Sequence, residues 1–149
     1  MSGTLYEITP SAVLTTLYNF CVNGLECDDG VQPTSNLLQS TNGMFYGTTD
    51  AGGRANEGTV FSLSNSLGPF VSFVRNPAKV GQRFGLLGQG FTGTTSVSLN
   101  ETPASFTVKS DTLIEATIPA GATTGYVTAI TPSGTLTSNV PFHVLQAKE

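Results

Sequence analysis

The side chains that could do chemistry are few and scattered. Two carboxylates stand side by side at Asp28 and Asp29, a third lies at Asp50, and the one histidine is His143. An enzyme needs acid, base or nucleophile groups within reach of one another. A Ser-His-Asp or Cys-His set has only His143 to draw on, and that residue sits on an alternating strand, opposite in direction to Phe142. A carboxylate-pair hydrolase is the one enzymatic alternative that the residue types leave. Asp28-Asp29-Gly30 reads instead as a turn. In a strand the two acids would face opposite sides, and in a turn they cap backbone amides. Contact with Ca²⁺ or a sugar is the alternative. Asp50, in TTDAGG, either pairs with Arg54 or caps its loop. Sugar binding uses exposed aromatic faces beside polar groups, and Tyr18, Tyr46 and Tyr126 are the aromatic candidates. The candidate ligand contacts are thus Asp28, Asp29, Tyr46 and Asp50, with no metal site and no cofactor expected.

Cys21 and Cys27 are the only cysteines. Between them Asn23-Gly24 is a strong turn dipeptide, which brings two extended arms to disulfide distance. A bridge closing so short a loop stabilises by about 2 kcal/mol and implies an oxidising compartment. Two unpaired thiols are the alternative. A metal site lacks further ligands, since His143 lies far along the chain.

The surface chemistry is unusual. Charged residues make up 11% of the 149, against roughly 25% in an ordinary soluble domain. Gly, Pro, Ser, Thr and Asn replace them, a pattern that suits an exported β-protein. The net charge of −4, with six scattered Lys and Arg, gives no basic footprint for nucleic acid. No stretch approaches the ~20 apolar residues that cross a bilayer, so no membrane insertion is expected. MSGTLYEITP lacks a signal peptide's basic and apolar regions. Because Gly3-Thr4 already opens a strand, Met1-Ser2 reads as a start added to a piece of a longer protein.

The elements that position these residues are strands. In Asn42–Leu63 two apolar-aromatic runs, Met44-Phe45-Tyr46 and Val60-Phe61-Ser62-Leu63, flank a loop of Gly, Thr, Asp and Asn. GTVFSLSNS, from Gly58 to Ser66, echoes GTLYEITPS, from Gly3 to Ser11. One repeat of about 55 residues, plus the opening strand of the next, is close to the blade period of a β-propeller. Strands are expected over residues 3–9, 13–20, 36–39, 44–48 and 58–64, with Leu14, Leu17, Tyr18 and Phe20 as candidate core groups. From Pro69 strand-like segments recur at 70–74, 83–88, 96–99, 105–108, 113–118, 125–131 and 140–144. About seven short strands make the pattern of an immunoglobulin-like sandwich. Its inward candidates at period two are Val97 and Leu99, Phe106 and Val108, Ile114, Ala116 and Ile118, and Val127 and Ala129.

The first half, in the order GT-aliphatic-aromatic, LYNF, DG..P, NGMFYGTT..GG and GTVFSL, resembles the GloVer-type tandem repeat over residues 3 to about 66. That resemblance implies a bacterial secreted or surface protein and a propeller-like blade. The family usually carries many copies, and a lone blade cannot bury both its faces and its edges. The second half, with KVGQ, GQGF, SVSLN, SDTLIEATIPAGATTGYVTA and TPSGTLTSNVPFHV, closely resembles the IPT/TIG domain over roughly residues 69–146. This implies a spacer or interaction module; some copies occur in DNA-binding factors, but the basic loops for that are missing here.

The expected fold class is all-β: one propeller-blade-like antiparallel repeat unit (residues 1–67), then an IPT/TIG immunoglobulin-like β-sandwich (68–149). The expected function is a non-enzymatic structural or adhesive module of a bacterial secreted or cell-surface protein. Copies are expected to join head to tail through two equivalent strands, Gly3, Thr4, Leu5 and Tyr6 at one end and Gly58, Thr59, Val60 and Phe61 at the other. An unpaired apolar edge is a template for another chain, and the product is a ring or a fibre. The partners are then further copies, glycans or other cell-surface proteins. A carbohydrate-binding module is the alternative function.

Overall fold

Turns rich in Gly, Pro and Asn break the chain into short strands, and no helix forms among the described residues. A computed structural model describes residues 2–22, 24 and 27–145. Two compact units result: Met1–Ser40 with Met44–Asn65, and Thr41–Gly43 with Ser66–Glu149.

In the first unit, β1 (Gly3–Ile8) and β2 (Leu14–Phe20) form an antiparallel ribbon with a register shift between Leu5 and Tyr6. β3 (Leu38–Gln39), β4 (Phe45–Thr49) and β5 (Thr59–Leu63) form a second antiparallel sheet with β4 in the middle. The sequence predicts one blade-like sheet here. The structure divides the strands between two sheets and closes no propeller or barrel. Between β2 and β3 the chain runs through a disulfide loop and turns, so the two do not pair. The sheets meet by packing, with the Phe20 and Phe61 rings edge-on at 5.0 Å and Tyr18 against Phe20 at 4.9 Å. Phe20 is 2% exposed, but Leu14 and Tyr18, expected in the core, are 62% and 42% exposed. A two-stranded ribbon has too little covering it to bury more than one position.

The second unit is a two-layer sandwich. One sheet runs β6 (Ser72–Phe73), β8 (Arg83–Leu87), β12 (Leu113–Thr117), β11 (Phe106–Ser110) from edge to edge. The other runs β10 (Thr102–Pro103), β9 (Ser96–Leu99), β13 (Val127–Thr131), β14 (Gly134–Thr137). A short parallel pair, β7 (Ala78–Lys79) with β15 (Val144–Leu145), joins the segments near the start and end of the unit. Alternation drives the packing: Val97 and Leu99, Ile114 and Ala116, and Val127 and Ala129 are buried with Ile118, Phe84, Phe91 and Phe142 in one core. Phe106 and Val108 pack against it half-buried. The strand expected over 140–144 begins only at Val144, and β7, β10 and β14 are strands that the sequence reading lacks.

Candidate interaction site

In the N-terminal unit a cleft of about 280 Å³ opens between the two sheets. Leu5, Tyr18 and Phe20 form one wall, Asp28 and Asp29 one end, and the whole of β5 the other wall. Only one side of β5 is paired, with β4 from Phe45↔Leu63 to Thr49↔Thr59. Its other edge carries no strand among the described residues.

Asp29 fixes the cleft's acidic end. Its carboxylate accepts the Cys21 amide at 3.0 and 3.2 Å and the Tyr18 hydroxyl at 2.9 Å. That is the amide-capping role expected of a turn carboxylate. The hydrogen bond to Asp29 holds the Tyr18 phenol above its ordinary pKa of 10.0, with burial and the carboxylate's charge acting the same way. Cys21 and Cys27 are bridged, with Cα atoms 4.7 Å apart. The Gly24 amide donates back to the Cys21 carbonyl, a turn inside the bridged loop. Asn23, the other half of the predicted dipeptide, lies outside the described residues.

Behind the cleft the loops are tied by hydroxyls. Thr49 accepts the Thr59 amide at 2.9 Å, the two hydroxyls stand 2.9 Å apart, and the Thr59 hydroxyl reaches the Asp29 carbonyl. Gly30 lies against both threonines at φ 101°; a side chain there would be strained and would collide with them. Val31 pairs with Ala51, and the Gly53 amide bonds to the Cys27 carbonyl, so loops 27–31 and 50–53 lie side by side.

The cleft thus gathers Asp28 and Asp29 with Tyr18, and with Leu5, Thr59, Val60 and Phe61 of the two echoing strands. Tyr46, half-buried on β4, and Asp50, exposed on its loop, are not among the cleft's walls. The one ion pair among the described residues is Arg83–Glu115, so Asp50 and Arg54 do not pair. His143 is exposed in the other unit, its amide bonded to the Asn76 side chain. No group of three or more His, Cys, Asp or Glu is gathered around a metal position among the described residues.

In the second unit the loop after β8 is built around Phe91, fully buried beneath a glycine. A Cβ on Gly88 would strike that ring. Asp111 holds the loop from the far side, its carboxylate accepting the Gly90 and Thr92 amides at 3.2 Å and its carbonyl the Phe91 amide at 3.0 Å. The Thr92 side chain, then the Thr92 and Gly90 amides, keep the Asp111 carboxyl below its ordinary 3.8. GQGF and SDT are therefore two halves of one corner of the sandwich. The family model for the IPT/TIG domain matches residues 69–144. The chain belongs to the IPT/TIG family. IPT/TIG domains are non-catalytic immunoglobulin-like modules used in adhesion and protein–protein interaction. No match in a family model accompanies the GloVer-type resemblance of the first half. Comparison with curated proteins finds no match.

Proposed function

We propose that this IPT/TIG chain is a non-enzymatic structural or adhesive module of a bacterial secreted or cell-surface protein, whose copies join head to tail through the strand edges of the N-terminal unit. The observation that carries the reading is the free edge of β5 opening onto the cleft. An edge strand presents unpaired N–H and C=O groups to any extended segment that reaches it. Nothing in this edge blunts pairing. It has no Pro and no charge, and Val60 is 79% exposed. The disulfide and the IPT/TIG fold are compatible with an extracellular place, and no helix among the described residues is long and apolar enough to cross a membrane. In this reading residues 1–67 are the assembling domain, and 68–149 form a domain that folds by itself.

Light scattering on the purified protein at tens of micromolar tests it. Assembly gives a mass well above the 15.5 kDa of one chain, and a monodisperse monomer refutes the proposal. Val60→Lys places a charge on the free edge and dissociates the assembly while leaving the sandwich folded. Carbohydrate binding in the same cleft is the second reading, favoured by the half-exposed Tyr18 ring beside Asp28 and Asp29. A glycan array on the assembled protein separates the two: assembly through the cleft blocks glycan binding there, and binding that persists unchanged in the assembled form refutes the cleft as the shared contact.

A further inference from the structure

One glycine of the sandwich is needed neither by its backbone nor by its packing. In the β6-β8-β12-β11 sheet Phe84, Leu86, Ile114 and Ala116 alternate into the core, so Gly85, Leu113 and Glu115 face outward. Gly85 lies mid-strand, opposite Glu115 of β12 on one side and accepting the Val74 amide on the other. A glycine inside a strand costs stability, and it often marks a place where a ligand comes close. Its φ is not positive, so a side chain would not strain the chain. An added Cβ would meet nothing nearer than an end methyl of Val74, at 3.0 Å, and Val74 is 67% exposed with room to shift. The missing side chain instead leaves open a hollow of about 640 Å³, floored by Val74, Gly85 and Leu113.

The rim of this hollow is cationic. Three of the chain's six Lys and Arg, Arg75, Arg83 and Lys109, stand around it with one acid, Glu115, which selects an anion. Arg83 is engaged with Glu115 at 2.8 Å, whereas Arg75 and Lys109 are exposed with no ion-pair partner among the described residues. A sugar would want a flat aromatic face, and the one ring in the lining, Phe84, is 2% exposed. A polymer charged on every unit would set a charge against the aliphatic floor. A peptide that alternates acid with aliphatic fits both parts. Lys109 on β11 and Val74-Arg75 beside β8 lie at opposite edges of the four-stranded sheet. Three inter-strand spacings of ~4.8 Å separate them by about 14 Å, close to the ~13 Å between residues i and i+4 of an extended chain. Residue i+2 points to the same face and falls midway, over the floor. We propose that the hollow binds an extended acidic segment of a partner protein, of the pattern acid-x-aliphatic-x-acid. The segment lies across the strands with its two carboxylates on Arg75 and Lys109 and its aliphatic side chain above Gly85. The contact uses the sandwich alone and does not depend on assembly through β5.

Fluorescence anisotropy of a labelled peptide, GESLSEG with blocked ends, titrated with the full chain tests the proposal. Thermal melts confirm that each variant remains folded. Arg75→Glu combined with Lys109→Glu weakens binding at least tenfold, and the charge-reversed peptide GKSLSKG binds that variant but not the wild type. Gly85→Val fills the floor without changing a charge; it weakens GESLSEG as much, and its melt is no lower than the wild type's, since valine suits a strand better than glycine. Val60→Lys leaves peptide binding unchanged, so this inference and the strand-edge reading fail separately. A wild type that does not bind GESLSEG at low salt overturns the inference. Binding that survives Gly85→Val reduces the effect to charge alone and overturns it too. A heparin-derived oligosaccharide that binds in place of the peptide, and is lost in the double reversal, overturns the protein partner and assigns the cations to a sulfated glycan.

Discussion

Phe20→Ala should unfold one unit and spare the other. Phe20 is the single large hydrophobic buried in the N-terminal unit among the described residues, wedged between Tyr18 and Phe61. A Phe side chain buries about 150–250 Å², worth roughly 4–6 kcal/mol at ~25 cal/mol per Å². Truncation of buried Phe to Ala costs about 3–5 kcal/mol in practice. At roughly 0.05–0.15 kcal/mol per residue, a unit of this size holds only about 3–9 kcal/mol. The substitution therefore removes a large part, or all, of that unit's stability. The sandwich core, which runs from Val71 to Val144 and contains no residue of the first unit, loses nothing. Calorimetry of the wild type should show two transitions. In the variant the one from the first unit should shift down steeply or vanish at room temperature, and the other should stay in place. Phe20→Leu, which keeps the apolar contact, should sit between. Equal loss in both transitions, or a loss below about 1 kcal/mol in the first, would refute the reasoning that one ring holds the two small sheets together.

Replacing Cys21 and Cys27 by Ser should cost about 2 kcal/mol, read as a lower urea midpoint of the first unit, and oxidised wild type should yield no titratable thiol after denaturation. Spectrophotometric titration should find the Tyr18 phenol ionising above 10.0, falling toward 10.0 in Asp29→Asn; a raised pKa gives stability that is complete below 10.0 and fades as pH climbs through the folded value. Asp111 is the opposite case: its lowered pKa gives stability present above 3.8 and lost as pH drops through the folded value. Asp111→Asn should flatten the acid limb of the second unit's unfolding curve, and an unchanged limb would remove the carboxylate from that role.

The sandwich was readable where a strand has one face on a core. Val97 and Leu99, or Ile114 and Ala116, alternate because two layers bury one face of each strand. Leu14 and Tyr18 alternate equally well and are exposed, since nothing in a two-stranded ribbon covers that face. β7 and β10 are two residues long, too short for any period; β7 exists through β15, far along the chain, and β10 through β9, just before it. Pro103 even argues against a strand, and is tolerated because β10 is an edge. The Asn100-Glu101 turn that forms it places both residues at positive φ, with no glycine to signal it. Asp29 was legible as a capping group from its neighbours Asp28 and Gly30. The cleft was not, because positions 5, 18, 29 and 59 converge only after two loops fold against each other through Thr49 and Thr59.

The parallel pairing of β7 with β15 bears on how the sandwich would carry tension. Pulling the two ends of that unit apart slides parallel strands along each other, so their hydrogen bonds and the Asn76 bridges to Pro141 and His143 are loaded together. The antiparallel β1–β2 ribbon, pulled from the start of β1, opens instead one bond at a time, like a zip. In a protein anchored at one end and gripped at the other, the first unit would then lengthen early and the sandwich late. Stretching single molecules between two beads would show a low-force event before a high one, and the reverse order would rule out this division of mechanical labour.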